Sequence, residues 1–373
     1  MSEEKNVITL YPSNWLYNAS VIGFINSVET VEKEIDIKNS LKNTGAVILD
    51  LPLFSMLNIK TRYFDENKDS RVSSIYRNAV YRNYLTTEDE KVLFYDFVKS
   101  LDRVKQGDNC DFCNNGYFLT NEDSTRINNK QKSDKKFLSR ITNFNFVHNQ
   151  DLGPAPEKFP NSYWNNNHGI KICHLCSFLE IHHHLAITKL TNLSQVFINV
   201  PSFRLMYDLN KLVKELYGNS SQEENKKIRE ILATTIIEYT RKIQSVLGVW
   251  TTMNIEIVHK YKIKNDKGKL EDRIEFFSLP SDVIKIISDR NISNILSDLA
   301  EFKILNIVLD EKFSFLTEIG YKLLREGTKD YNNRNEKFIS SILYQPKNQY
   351  NPTSTANKIL KLYSLIEDKL KRN

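Results

Sequence analysis

The four cysteines of this chain fall into two identically spaced pairs, Cys110 and Cys113 in "CDFCNNG" and Cys173 and Cys176 in "CHLC". A Cys-x-x-Cys turn lets two thiolates converge on one ion while the chain reverses direction, and Zn2+ takes four such ligands in a tetrahedron. Each pair therefore supplies half a shell. Gly116 can take the positive φ needed as the backbone leaves the first knuckle, and "YFLT" then reads as strand. The gap between the pairs is far longer than the roughly 15 to 20 residues of compact zinc ribbons. The intervening segment thus reads as an insertion held at its base by a structural Zn2+, whose excess negative charge Lys105 and Lys171 are placed to offset. Two other readings stand beside this one: small buried hydrophobes with coincidental spacing, or a dithiol redox centre. Catalytic zinc is disfavoured, because four cysteines leave no open position for water.

Three consecutive histidines, His182 to His184, follow the second pair. Adjacent residues on a helix point about 100° apart, so the three cannot face one ion, and the pattern predicts one packed ring and two solvated ones. His174 lies inside the second knuckle, where its ring would replace a thiolate only if the all-cysteine assignment fails. Phosphate chemistry has no glycine-rich signature here: neither GxxxxGK followed by Ser or Thr nor GxGxxG occurs, and HExxH and GxSxG are also absent. No catalytic residue can be named from the sequence.

Basic and aromatic side chains interleave in "KTRYF" and at Arg71, Tyr76, Arg77, Tyr81 and Arg82, a mixture suited to phosphate contact and base stacking. An aromatic inner helix face with solvated arginines explains the same spacing. Residues 124–140 hold six basic residues, Arg126, Lys130, Lys132, Lys135, Lys136 and Arg140, against one acid. With few apolar anchors, the segment predicts an exposed, mobile loop able to meet nucleic acid. Asn14 and Asn18 lie one helical turn apart; both can face an adenine edge, or both can cap and brace the first helix.

The elements that must position these groups follow from periodicity. A strand over 7–11 precedes a helix from about Ser13, with Ser13 as N-cap and Gly23 marking close approach by another backbone. "GAVILDLPLF" (45–54) reads as a buried strand, and 71–85 and 89–101 as helices. Three prolines in "DLGPAPEKFPNSYW" (151–164) exclude regular structure there. A helical pattern runs through Leu185, then a strand "SQVFINV" and a helix "FRLMYDLNKLVKELY" closed by Gly218. A further helix begins at a capping box of Ser221 and Glu224. Residues 254–262 and 273–279 pair as a hairpin, and the remainder is mostly helical. Its last helix turns Ile359, Leu362, Ile366 and Leu370 inward.

The fold class is therefore α+β. A mixed α/β N-terminal domain over 1–202 carries the four-cysteine module at about 105–180, and a mainly helical C-terminal domain over 203–373 includes the hairpin at about 254–279. At 373 residues, 40% hydrophobic and 26% charged, the composition is that of a folded globular protein rather than a disordered one. The net charge of +6 fits an acidic partner without demanding one. The N-terminal "MSEEKN" lacks the basic-then-apolar pattern of a secretory signal, and no apolar run nears the roughly 18 residues that span a bilayer. A cytoplasmic location with no membrane partner is expected, where thiols stay reduced.

Taken together and in register, "YPSNWLYNASVIGFI", the cysteine pairs, "GPAPEKFPNSYW" and "VFINVPSFRLMYDLN" resemble the CRISPR-associated CXXC-CXXC protein family. Those proteins are large subunits of type I-B Cascade surveillance complexes. The likeness covers about residues 8–210, with the Asn-Trp-Leu-Tyr-Asn run of residues 14–18 its most specific part and Ser20, where glycine is expected, its one visible departure. The resemblance implies a non-enzymatic protein whose partners are crRNA, target duplex DNA, the other Cascade subunits and a helicase-nuclease. It also implies a role in reading the target-flanking motif (PAM), in stabilising the opened strands, and in antiviral defence. A rival reading from another class is a metal-dependent DNA-processing enzyme with a structural zinc-ribbon insertion.

Overall fold

The computed structural model describes residues 7–31, 37–64, 90–130, 137–145, 169–191, 194–218, 228–242, 255–266, 268–343 and 351–372. The expected helix over 71–85, the proline-rich stretch over 151–164 and the Ser221 capping box lie outside them. The fold is α+β: a mixed α/β N-terminal part with small sheets and a four-cysteine cluster, and a mainly helical C-terminal part. By its contacts the chain forms two compact units, Met1–Ser220 with Val258–Phe276, and Ser221–Ile257 with Phe277–Asn373.

In the first unit, β1 (Val7–Leu10) is followed by α1 (Trp15–Val31) and β2 (Val47–Asp50), and the two strands pair antiparallel with Leu10 opposite Val47. Asn14, not Ser13, caps α1, its Oδ1 accepting the Tyr17 N–H at 3.0 Å. Leu16, Tyr17, Ala19, Val21, Ile22, Phe24, Ile25 and Val28 of α1 are all buried. A helix apolar on nearly every side belongs in the middle of a core, and α1 is packed by α7 and α8, defined below. The apolar run over 45–54 does not stay extended. It leaves β2 at Asp50 and enters α2 (Pro52–Met56), because proline at the first helical position lacks only an N–H that would be unpaired anyway.

The chain continues through α3 (Ile59–Phe64) and α4 (Glu90–Ser100) to a two-residue ladder of β3 (Lys105–Gln106) with β4 (Tyr117–Phe118). Next come α5 (Asn121–Asn129), α6 (Phe137–Ile141), β5 (Asn143–Asn145), its antiparallel partner β6 (Gly169–Lys171), and α7 (His174–Glu180). A 3-10 turn at His183–Leu185 leads into β7 (Thr188–Thr191), β8 (Ser194–Asn199) and α8 (Phe203–Tyr217). Ser202 caps α8 by accepting the Leu205 N–H, and Gly218 follows its last turn. The hairpin of β9 (Glu256–Lys264) and β10 (Leu270–Ser278) extends β7 and β8 into one sheet of order β10-β9-β8-β7.

The division between units falls after α8 rather than near residue 202. The Phe203 N–H donates to the Gly45 carbonyl at 2.8 Å, and the Tyr207 hydroxyl donates to Glu29 Oε2 at 2.5 Å. Both contacts tie α8 to the N-terminal elements.

The second unit consists of α9 (Ile228–Lys242), α10 (Ser281–Ile287), α11 (Arg290–Leu299), α12 (Phe302–Leu309), α13 (Ser314–Gly327), α14 (Glu336–Ile342) and α15 (Pro352–Arg372). Asp289 caps α11 by accepting the Asn291 and Ile292 N–H groups. α13 lies close on α15 because Gly320 leaves room for Leu360; a Cβ there would sit 2.7 Å from the leucine side chain. Ile359, Leu362 and Ile366 of α15 are buried, but Leu370 is 40% exposed, beyond the reach of α13. No described helix is long and apolar enough to cross a membrane.

Candidate metal centre

Each cysteine pair is shaped by its own backbone before the two meet. The first knuckle leaves β3 with the Gly107 N–H donating to the Gly116 carbonyl at 3.1 Å, and the Asn114 N–H closes the turn on the Cys110 carbonyl at 2.8 Å. Asn114 and Gly116 take φ of 62° and 67°. A Cβ on Gly116 would stand 1.8 Å from the Asp108 carbonyl oxygen, so glycine is required there on two counts. The second pair begins α7: Cys173 is its N-cap, and its Sγ accepts the Cys176 N–H at 3.4 Å.

The distant pairs are joined by the strand that precedes the second. The Asp111 N–H donates to the Lys171 carbonyl at 3.3 Å, the Lys171 N–H donates to Asp111 Oδ2 at 3.0 Å, and the Cys173 N–H donates to Cys110 Sγ at 3.2 Å. Asp111, the second residue of the first knuckle, thus sets the register between the halves. Sequence reading passed over it because an aspartate within a knuckle looks like any solvated side chain.

The four Sγ atoms lie within 4.8 Å of one another, all four cysteines are buried, and none is in a disulfide. Cys113 and Cys173 Sγ are 3.9 Å apart. A tetrahedron with metal–sulfur bonds of about 2.3 Å has sulfur–sulfur edges of about 3.8 Å, so the arrangement fits a four-thiolate metal shell. Without an ion the sulfurs are held unequally. Hydrogen bonds from the neighbouring thiols, Cys113 foremost, pull Cys110 far below the ordinary thiol range, while burial pushes Cys173 and Cys176 well above it. Four thiolates cannot share this dry space without a cation, and a divalent ion is what allows all four to ionise.

His174 is not a ligand. Its Nδ1 accepts the Leu119 N–H at 3.1 Å, and burial lowers its pKa to about 4, so the ring is neutral at pH 7. It ties the strand leaving the first knuckle to α7. The three histidines depart from the expected pattern, since both His182 and His183 are buried and His184 is half-buried. The reason is the 3-10 turn, which runs under α1 instead of along the surface. His182 donates from Nδ1 to the Phe178 carbonyl at 3.1 Å and accepts the Tyr63 hydroxyl at Nε2 at 2.9 Å. A Cβ on Gly23 would lie 1.9 Å from the His182 carbonyl oxygen, which is the close approach the sequence signalled.

The basic segment is structured where it is described. Residues 124–129 belong to α5, and 137–141 form α6. Thr120 caps α5 by accepting the Asp123 N–H at 3.1 Å, and its hydroxyl donates to Asp123 Oδ2 at 2.9 Å. Asp123 also binds Arg103 at 2.9 Å and Arg126 at 2.8 Å. Lys130 pairs with Asp96, and Arg140 with Glu90 at 2.7 Å. Arg126 and Lys130 each keep 47% of the side chain exposed, whereas Arg140 keeps only 17% against a Glu90 of 9%. Lys132, Lys135, Lys136, Arg71, Arg77 and Arg82 lie outside the described residues.

Asn14 caps α1, and Asn18 is buried. Asn18 Oδ1 accepts the Ser13 N–H at 2.8 Å, and its Nδ2 donates to the Ser13 carbonyl at 2.9 Å and to Asn199 Oδ1 at 2.8 Å. Both asparagines brace the helix start. Ser20 is buried with its hydroxyl donating to the Leu16 carbonyl at 2.7 Å, so it adds no unsatisfied group. Comparison with protein-family models, with curated proteins and with solved structures found no match.

Proposed function

We propose that this chain is a non-enzymatic large subunit of a type I-B Cascade surveillance complex, with Zn2+ as the ion of its four-cysteine centre. The observation that carries the reading is the convergence of those segments of the family resemblance that lie among the described residues. Asn18 of the Asn-Trp-Leu-Tyr-Asn run is hydrogen-bonded to Asn199 of "VFINVPSF". The Tyr17 ring stands edge-on to Phe203 with centroids 6.2 Å apart. α1 in turn packs on α7, which carries the second cysteine pair. Residues far apart in sequence thus form one framework around the four-cysteine cluster, which supports reading these motifs together.

A closed shell of four thiolates supplies folding energy and no open coordination position, which suits a binding subunit better than a metalloenzyme. In such a complex the guide reads sequence by pairing while the protein reads backbone shape and a short flanking motif. Of the described basic residues, Arg126 and Lys130 are suited to phosphate contact. Each keeps 47% of its side chain exposed beside a largely buried aspartate partner, so a phosphate would approach the open side of the cation rather than displace the carboxylate. Arg140, Asn14 and Asn18 hold the fold instead.

The test is co-purification with guide RNA and the other Cascade subunits, followed by binding to duplexes that differ only in the flanking motif. The reading expects a stable complex whose affinity changes with that motif. Binding indifferent to the motif, together with Mg2+-dependent cutting of DNA by the isolated chain, would favour the DNA-processing enzyme and remove this proposal.

A further inference from the structure

Past Val258 the β9–β10 hairpin leaves the core. β9 has nine residues and its neighbour β8 six, so the far part of β9 has β10 as its only strand partner. Ile255, Ile257 and Val258 are buried, whereas no described residue of 259–276 is. A two-stranded ribbon without a core of its own is marginal by itself. Its turn is nonetheless well formed: the Asn265 N–H donates to the Lys269 carbonyl at 2.8 Å, and Gly268 between them takes a φ of 73°.

The two faces of the ribbon differ in charge. The Tyr261 hydroxyl donates to Glu275 Oε1 at 2.5 Å, and Asn265 Nδ2 donates to Glu271 Oε1 at 2.9 Å. Side chains alternate along a strand, so odd-numbered positions of both strands share one face. Both carboxylates there are engaged by these bonds, and Arg273 stands 3.9 Å from Glu271. Even-numbered positions make the opposite face, which carries Lys260, Lys262 and Lys264 against one acid, Asp272. Lys260 is half-buried, and Lys262 and Lys264 are exposed. Successive lysines on one strand face stand about 6.7 Å apart, which makes a straight row of cations. At the end of the row nearer the core, Phe276 is 54% exposed and its ring stands edge-on to Trp15 of α1, with centroids 6.3 Å apart.

We propose that this even face binds an unpaired nucleic-acid strand, with Lys260, Lys262 and Lys264 on successive phosphates and Phe276, braced by Trp15, under a base. The proposal deepens the reading above and rests on it for nucleic acid as the partner; none of the contacts named there lies in the hairpin. A row of cations on one strand follows a single backbone, and an exposed ring beside it offers the π-face on which a base stacks. In a duplex the bases show only their edges, so Phe276 favours an unpaired strand. Binding to a membrane surface draws on a broad apolar face, which Phe276 and Leu270 do not make.

The experiment measures binding of the full chain to labelled single-stranded DNA, single-stranded RNA, duplex DNA and phosphatidylserine vesicles over a series of salt concentrations. Wild type is expected to bind a single strand more tightly than the duplex, and the tighter of the DNA and RNA arms identifies the strand. Lys260→Gln, Lys262→Gln and Lys264→Gln together should reduce the slope of log affinity against log salt by about 2, at about 0.7 for each phosphate contact on a single strand. The same three positions changed to arginine should keep the slope. Phe276→Leu should weaken single-strand binding roughly tenfold at unchanged slope, and leave duplex binding as it was. An unmoved slope in the glutamine variant, a slope lost equally in the arginine variant, equal weakening of single strand and duplex by Phe276→Leu, or preference for vesicles would each overturn the strip while leaving the Cascade reading standing. A wild type that binds no nucleic acid, either alone or in the co-purified complex, would overturn both.

Discussion

Glu180, the last residue of α7, is fully buried, and neither carboxylate oxygen has a partner among the described residues. Burial raises its pKa well above the ordinary carboxylate value, so the folded protein holds it as the neutral acid. The sign of its effect follows from linkage. Below the unfolded value both states are protonated and the group is harmless; as pH rises above it, only the unfolded chain ionises, and stability falls. Glu180→Met removes the unsatisfied oxygens while keeping an unbranched chain. It should raise stability by about 1–2 kcal/mol at neutral pH, with the gain over wild type larger at pH 8 than at pH 5 in urea unfolding. A destabilised Glu180→Met at pH 8 would show that the carboxylate has a partner of real value. Sequence reasoning could not find this group. A lone glutamate in "CHLCSFLEI" looks like the solvated side of a helix, and only the packing of α7 shows that the helix has no such side. The cysteines were legible for the opposite reason, since knuckle geometry is local and writes itself into the spacing.

Among the elements, α1 and α8 were readable because their signals are local too. Periodic apolar residues and Gly218 after the last turn marked α8, whose Ser202 cap only the structure shows, and an isolated glycine inside α1 marked the crossing of the 3-10 turn. Gly23→Ala tests that crossing. Its Cβ meets a backbone carbonyl at 1.9 Å, an obstacle no rotamer change relieves, so the substitution should cost about 3 kcal/mol or more in chemical unfolding, despite alanine's better helix propensity. A change within about 0.5 kcal/mol, typical of surface sites, would mean that α1 and the turn are not in contact. By contrast α5 was unreadable from propensity. "NEDSTRINN" is polar and reads as loop, and its helix is held by the Thr120–Asp123 cap and by Arg103 reaching in from outside the segment. A composition suited to solvent thus became a helix through one cap and a set of ion pairs.

At the scale of the whole molecule, the mixed α/β beginning and helical end were visible in the order of patterns, but the boundary was not. Contacts that tie α8 to Gly45 and Glu29 join residues far apart in sequence, and the hairpin β9–β10 belongs mostly to the first unit although it follows α9 in the chain. The cysteine centre explains how the first unit closes over so long an insertion. Asp111, Lys171 and the four sulfurs bring the two ends of 110–176 together, and a metal bound there would convert binding free energy into folding free energy. That centre is the central claim, and metal analysis with X-ray absorption on the purified full chain tests it most directly. The account predicts about one zinc per chain with a first shell of four sulfurs at about 2.3 Å; a shell containing nitrogen or oxygen, or a folded chain that neither carries nor takes up metal, would contradict it.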